Sequence, residues 1–389
     1  MEHAKRHIVL YRIIRLILYP FSGWIFRIKS EKANRIQGPC LILANHNINV
    51  DPILISRSFP HHMYFLASEH VLSWGWRSVV IDWVAGPVSK LKSTADAGAV
   101  KDVMRRIRKG HSICIFAEGH RSFNGVTHPI APATGKLVKV CQTTLVTYRF
   151  EGGYFTSPRW AAKNRKGEMK GYVVGVYPFE ELKHMSDKEI NELIQRDLHE
   201  DAYARQKETP IAYRGKNLAE WLEITLYMCP SCGKIGTLRS KGNDFFCTAC
   251  SLCSTIDEYG ILHGKNLPYH TVTDWDNWQV EEMAGVAQQL GTKKAFSDPG
   301  QLLYLMDPVS HKRIQLAMGT LCLYGDRITL GEYVFPFEEI IDMNVHGKQS
   351  IVFSSGNAHY EIKSKFPRSA RKYVVLYKYL TGNGDVRRV

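Results

Sequence analysis

Apolar positions in residues 7–19 recur with a helical period: Val9, Leu10, Ile13, Ile14, Leu16, Ile17 and Leu18 cover most of the circumference, and Lys5, Arg12 and Arg15 share one stripe. Such a helix requires an apolar bed, either its own domain or a lipid interface, and Trp24 and Phe26 favour the interface. From residue 40 to about 180 short apolar runs alternate with helix-period segments, the pattern of an α/β unit. Cys40–Ala44 and Ser112–Ala117 read as buried strands. Asp51-Pro52, an N-cap residue followed by proline at the first helical position, opens a helix between them. Thr94 opens a second helix in which Val100, Val103, Met104 and Ile107 share a face before Gly110 stops it. Strands Thr144–Phe150 and Tyr172–Tyr177 flank a loop carrying Arg159, Lys163, Arg165, Lys166 and Lys170. Ser186-Asp-Lys-Glu189 then forms a capping box for a helix with Ile190, Leu193, Ile194 and Leu198 on its apolar face.

The texture changes after residue 225. Cys229-Pro-Ser-Cys232 and Cys247-Thr-Ala-Cys250 mark a compact module, and beyond about residue 262 a helix from Asp276 to Leu290 precedes short strands. These are Leu302–Leu305, Gly319–Leu323, Arg327–Leu330, Ser350–Phe353 and His359–Ile362, separated by Gly, Asp and Asn turns. Phe366–Leu380, with Tyr373, Leu376, Tyr377 and Leu380 on one side, reads as a closing amphipathic helix. Strands closed by one helix resemble the element order of pleckstrin-homology-type modules. Four segments follow: an amphipathic segment over 1–36, an α/β domain over 37–225, a cysteine module over 226–262 and a β-rich domain over 263–389.

The chain has 389 residues, 44% hydrophobic and 23% charged, which excludes a disordered chain and a multi-span membrane protein. Its formal charge of +14 favours anionic partners: nucleic acid, a phospholipid surface or a phosphorylated substrate. Locally, Lys5, Arg6, Arg12, Arg15, Arg27, Lys29, Lys32 and Arg35 stand against only Glu2 and Glu31 in residues 1–36, which points to an anionic lipid surface. Five of nine cysteines cluster between Cys229 and Cys253, the others are scattered in apolar contexts, and no secretory signal pattern precedes them. The expected location is therefore the cytoplasmic face of a membrane, peripheral, because the apolar run of residues 8–26 is broken by Arg12, Arg15 and Pro20.

In Asn45-His46-Asn-Ile-Asn-Val-Asp51 a histidine follows a strand end and an aspartate sits five residues on. A carboxylate on one ring nitrogen fixes the tautomer and raises the basicity of the other, as a general base attacking a hydroxyl requires. Phe116-Ala-Glu118-Gly119-His120-Arg121-Ser122 ends the next parallel strand, and such loops converge on one crevice. Here the sequence resembles the glycerolipid acyltransferase family that includes lysophosphatidate acyltransferases, with motifs Asn-His-x4-Asp and Phe-Pro-Glu-Gly-Thr-Arg-Ser. The order and the separation of about 70 residues match, the loop before Gly135-Lys136 stands in the place of the third motif, and the resemblance covers roughly residues 36–205.

The resemblance implies a mixed sheet flanked by helices, His46 as general base, Asp51 as its orienting partner, and Glu118, Gly119 and Arg121 as the site for the acceptor's glycerol and phosphate. It implies transfer of an acyl group from acyl-CoA or acyl-carrier protein to a lysophospholipid, 1-acylglycerol-3-phosphate above all. Independently, a guanidinium fork fits phosphate oxygens and a glycine lets a headgroup approach the backbone. Ala117 stands where the family has proline, His120 where it has threonine, and Ala133-Thr134 where lysine is common, which bears on headgroup choice.

The Cys-x2-Cys-x14-Cys-x2-Cys spacing reads as a structural Zn²⁺ ribbon with ligands Cys229, Cys232, Cys247 and Cys250, Cys253 being the substitute for Cys250 and a redox pair the alternative. A ribbon also admits a non-catalytic adaptor for nucleic acid or protein on a degenerate acyltransferase scaffold. Against nucleic acid, Gly233–Phe246 carries only Lys234, Arg239 and Lys241 with Phe245 and Phe246. An acyltransferase for another lipid acceptor is the third reading.

Overall fold

A computed structural model describes residues 2–68, 83–90, 97–307 and 313–389. They form two compact units, residues 1–159 with 165–213 and residues 160–164 with 214–389. Thr94 lies outside the described residues.

The first unit is built on a mixed seven-stranded sheet. Its strands are β1 (Ile28–Ser30), β2 (Cys40–Ala44), β3 (Met63–Ser68), β4 (Val88–Lys90), β5 (Ser112–Phe116), β6 (Thr144–Glu151) and β7 (Met169–Tyr177), in the order β1-β7-β6-β2-β5-β3-β4. Only β6 and β7 run antiparallel. The central strand β2 is apolar throughout because both its faces are covered. Alternation then divides the core. Leu41, Leu43, Ile113, Ile115 and Leu145 pack against Val103 and Ile107 of helix Ala97–Arg108, Val138 of Thr134–Cys141 and Ile190, Ile194 and Leu198 of Asp187–Leu198. Cys40, Ile42, Cys114 and Val146 point to the other face, onto Leu54, Ile55, Phe59 and Met63. The capping box of Ser186 and Glu189 is present. The expected Asp51 cap is displaced by one residue: Val50 is the N-cap of helix Asp51–Ile55, which frees the Asp51 carboxylate for the preceding loop.

The first helix runs from Glu2 to Phe26, longer than the predicted 7–19. It rests on the unit through polar and aromatic groups. The Tyr11 hydroxyl donates to the Ser56 carbonyl at 3.2 Å, and Arg15 donates to the carbonyls of Phe59 and Pro60 at 3.0 Å each. Arg15 thus turns towards the protein while Val9, Ile13, Leu16, Ile17, Phe21, Trp24 and Ile25 face solvent, Leu16 and Trp24 at 78% exposure. Among the described residues no helix is long and apolar enough to cross a membrane.

In the second unit, strands β8 (Leu238–Lys241), β9 (Asp244–Cys247), β10 (Cys253–Ile256) and β11 (Leu262–His263) form an antiparallel meander. Helix Val272–Leu290 begins four residues before the predicted Asp276, with Thr271 as its cap. Its buried Trp275 donates to the Met228 carbonyl at 2.9 Å and meets Phe245 edge to face. A second, wholly antiparallel sheet follows: β12 (Lys294–Met306), β13 (Arg313–Tyr324), β14 (Arg327–Leu330), β15 (Tyr333–Pro336), β16 (Ile340–His346), β17 (Ser350–Ser355) and β18 (Ala358–Ser364). Its order is β15-β14-β13-β12-β18-β17-β16, so the first strand of the segment joins two meanders. Phe335 of β15 touches Phe353 of β17 and Tyr360 of β18, with ring centres 5.0 and 4.9 Å away, which requires the sheet to curl. Helix Arg371–Thr381 follows the last strand, beginning five residues after the predicted Phe366.

Gly135 shows how tightly the helices cover the first sheet. A Cβ there would collide with the Asp187 carbonyl oxygen, which is backbone and cannot swing away. Gly135→Ala is expected to lower stability by about 1–3 kcal/mol, the usual cost of overpacking, read as a lower melting temperature in thermal unfolding.

Candidate active site

The site follows from strand order. β2 and β5 are parallel neighbours with Ala44 level with Phe116, and the Ala117 N–H extends the ladder to the Ala44 carbonyl at 3.1 Å. Proline has no such N–H, which gives alanine at this position a role in the ladder. Two residues beyond each strand end, His46 and Glu118 are thereby brought side by side.

His46 Nδ1 lies 2.8 Å from Asp51 Oδ2, and the same oxygen accepts the N–H groups of Asn47 at 2.7 Å and Ile48 at 2.9 Å. With Asp51 fully buried, the pairing assigns the ring proton to Nδ1 and leaves Nε2 as an acceptor. Nε2 makes no hydrogen bond to any described residue, and the His46 side chain is 21% exposed. Its ring stacks on Phe116 at 4.4 Å.

Glu118 is 1% exposed, and its carboxylate does not meet Arg121. One oxygen accepts from the backbone N–H of His46 at 2.7 Å and the other from that of His128 at 2.8 Å. Burial pushes its pKa up to about 8, aided by the Glu200 and Asp51 charges, while the two N–H donors pull it back. Gly119, at φ +77°, makes the turn after β5 with open space where a Cβ would stand.

Arg121 is 8% exposed, yet no carboxylate among the described residues pairs with it within 4.0 Å. Its guanidinium makes one long hydrogen bond, to the Ser157 carbonyl at 3.4 Å. Burial lowers its pKa and the nearby Asp51 charge holds it up. Arg159, from the predicted basic loop, donates to the Arg121 carbonyl at 2.8 Å and lies over the Phe123 ring at 3.8 Å. His120 meets His128 edge to face, with ring centres 4.7 Å apart. Gly135 donates its N–H to Asn191 at 2.8 Å.

Three supporting residues were given no role by the sequence, although Asn45 opens the Asn-His-x4-Asp motif. Asn45 continues the β2–β6 ladder with its side chain, donating to the Phe150 carbonyl at 2.8 Å and accepting its N–H at 2.7 Å. The Asn47 side-chain amide reaches Glu200 at 2.8 Å, and Glu200 also accepts the Gly152 N–H at 2.9 Å. Only the position of Asn45 and Asn47 on either side of His46 could have drawn attention to them.

In the second unit the sulfurs of Cys229, Cys232, Cys247 and Cys250 all lie within 4.8 Å of one another. Cys229 and Cys250 are 3.6 Å apart, and Cys232 and Cys247 3.9 Å. Tetrahedral thiolates at a Zn–S distance of about 2.3 Å stand about 3.8 Å apart, so the four sulfurs fit one such ion. Cys253 is exposed and outside this group.

The Acyltransferase family model matches residues 26–151, which contain His46, Asp51, Glu118, Gly119 and Arg121, and the first unit therefore carries an acyltransferase domain. Among solved structures, the 1-acyl-sn-glycerophosphate (LPA) acyltransferase PlsC from Thermotoga maritima is similar at 15% identity and a TM-score of 0.43, over 54% of this chain and 83% of that one. No curated protein matches.

Glu118 has its folded pKa above that of an unfolded glutamate, so the folded state binds the extra proton and stability falls as pH rises from about 4.5 to about 8. Glu118→Gln removes the titrating group. Urea unfolding across that range is expected to show a steeper fall for the parent than for the variant; parallel pH profiles would contradict the assignment.

Proposed function

We propose that this chain moves a fatty acyl group from an acyl thioester, acyl-CoA or acyl-carrier protein, to the free hydroxyl of a lysophospholipid. The proposed acceptor is 1-acylglycerol-3-phosphate, and the product phosphatidate. The observation that carries this reading is the pairing of His46 with buried Asp51, with Nε2 left open, together with a buried guanidinium that has no carboxylate partner among the described residues. A basic nitrogen suits proton removal from an alcohol, and an uncommitted arginine fork suits a phosphomonoester.

In this mechanism His46 Nε2 takes the acceptor's hydroxyl proton while that oxygen attacks the thioester carbonyl. The tetrahedral intermediate collapses with loss of the C–S bond, and the imidazolium returns the proton to the leaving thiolate. Asp51 holds the tautomer throughout and stabilises the imidazolium. Arg121 binds the acceptor phosphate, Gly119 leaves space for the headgroup, and Glu118 serves the site from beneath by fixing the backbone of His46.

The outward apolar stripe of the first helix supports a peripheral position on anionic lipid at the cytoplasmic face, since burying Leu16 and Trp24 in the interface removes apolar area from water. The strand order of residues 294–364 and the helix that follows support the pleckstrin-homology-like reading of the C-terminal domain.

The four cysteine sulfurs are read as a structural Zn²⁺ site, because four protein ligands leave no open coordination position. The Cys247 sulfur is further met by the Thr237 hydroxyl at 3.2 Å and the Ala249 N–H at 3.4 Å, which orient it. One zinc per chain is expected by metal analysis of reduced protein, and a chelator is expected to lower the melting temperature; a metal-free sample of unchanged stability would refute the site.

Thiol release from acyl-CoA by the purified protein, with and without lysophosphatidate in mixed micelles, tests the reaction. Release should depend on the lysolipid, and His46→Ala should lower the rate by about 10²–10⁴ with folding intact. Undiminished turnover in folded His46→Ala would remove the general base. Silence with acyl-CoA, acyl-carrier protein and other lysolipids alike would favour the adaptor reading.

A further inference from the structure

Glu200 is buried between helices Asp187–Leu198 and Ala202–Glu208, outside the residues that the family model matches. Its backbone is held on both sides by Thr127, whose hydroxyl accepts the Glu200 N–H at 2.8 Å and whose N–H donates to the Glu200 carbonyl at 2.9 Å. Arg205 Nε approaches Oε1 at 3.3 Å. Thus anchored, the carboxylate reaches two further loops. Oε1 accepts the Gly152 N–H at 2.9 Å, after β6, and Oε2 accepts the Asn47 side-chain amide at 2.8 Å, after β2. With Thr127 in the loop after β5, one residue touches the segments that follow three neighbouring strands. Burial raises the Glu200 pKa against the pull of Arg205 and these donors. An apolar residue would be less costly at this depth but could not orient an amide.

Asn47 is the next residue after the proposed base. Its backbone N–H goes to Asp51, and its side-chain nitrogen donates twice, to Glu200 and to the Phe150 carbonyl at 3.2 Å. A reversed amide would aim its oxygen at two acceptors, so the orientation is unambiguous. The seat is close as well: a Cβ on Gly153 would stand 2.5 Å from the Asn47 Cβ. His46 itself is fixed at its N–H by Glu118 and at its ring by Asp51. Asn45 ties the segment before it to Phe150, and the Asn47 side chain ties the segment after it. Loss of that second tie frees the peptide after His46 to rotate, and the ring turns with it. A base displaced by about 1 Å loses about 10²-fold in rate.

We propose that Glu200, acting through Asn47, is a positioning residue for His46, fixing the loop after β2 so that the imidazole stays seated on Asp51 with Nε2 turned to the acceptor. Its effect on rate rests on the proposed acyl transfer, whereas its hold on the imidazole does not depend on which substrate is bound.

Glu200→Gln keeps the size of the side chain and, with its oxygen on the Gly152 N–H, sets an amide nitrogen against the Asn47 amide, donor against donor. Asn47→Ala removes the tie from the other side. Long-range proton–nitrogen correlation spectra of the full chain with isotope-labelled histidine, taken where the rings are neutral, read the tautomer; His46→Ala identifies the His46 signals. The parent is expected to show one tautomer, protonated on Nδ1, and each folded variant a mixture of two. With thiol release as the assay, kcat should fall about tenfold or more in each variant while KM stays within about twofold. The double variant should fall no further than the worse single one, because both remove the same tie. In a His46→Ala background Glu200→Gln should leave the residual rate unchanged. Should Glu200→Gln fail to fold, Asn47→Ala decides. A single unchanged tautomer in the folded variants, or an equal loss of rate with and without His46, overturns the positioning role. Silence of the parent in thiol release removes the acyl-transfer reading instead, and the tautomer alone then decides the role of Glu200.

Discussion

One oxygen organises the first unit's site. Asp51 Oδ2 accepts the imidazole N–H of His46 and the backbone N–H groups of Asn47 and Ile48, so a single buried acceptor curls the loop after β2 and orients the ring within it. A buried carboxylate is costly unless hydrogen-bonded; here three donors converge on Oδ2, while the buried Oδ1 has no hydrogen-bond partner among the described residues. Were Asp51 replaced by an apolar residue, two backbone donors would be orphaned together with the tautomer of His46. The loop's geometry and the orientation of this ring therefore have the same physical cause.

Two further carboxylates extend the same device outwards. Glu118 clamps the backbone of His46 and His128, and Glu200 joins the Asn47 side chain to the Gly152 N–H. The loops after β2, β5 and β6 are consequently tied through acids rather than through apolar packing. Open crevices lack room for a hydrophobic core, and hydrogen bonds from backbone N–H groups to these buried carboxyl groups take its place. Arg121 stands apart from these acids: its guanidinium makes one long hydrogen bond, to the Ser157 carbonyl, and pairs with no carboxylate among the described residues.

The legible part of the chain was the part with period and spacing. β2, β5 and β6 stand where their apolar runs predict, and the His46–Asp51 pairing follows from a five-residue separation across a helix start. Asn45 was legible as a motif residue but its role was not, and Asn47 and Glu200 were invisible, because a lone polar residue has no period and its partner 105 or 153 positions away is set by topology. β16 escaped notice because Asp342, at φ +53°, interrupts its alternation beside a register shift. β12 was cut to Leu302–Leu305 because Asp298-Pro-Gly300 reads as a turn, whereas in the sheet it is an irregularity within one long strand. The first helix has its apolar stripe facing outwards and Arg15 facing inwards, an orientation that periodicity cannot assign because a helix has no intrinsic inside.

The cysteine module shows how a small core is reinforced. Its strands have two to four residues each, too few to bury a self-sufficient core, and Leu238, Phe245, Ile256 and Leu262 are their buried apolar side chains. Helix Val272–Leu290 completes that core with Trp275, while Gln279 accepts the N–H groups of Tyr227 and Met228 and donates to the Thr225 carbonyl. The same helix meets the last one through the buried Asp276–Arg371 ion pair. An ion held by the four sulfurs would therefore act beyond its own loops: by fixing residues 225–229 it fixes the surface on which Gln279 and Trp275 dock, and through Asp276 the start of the closing helix.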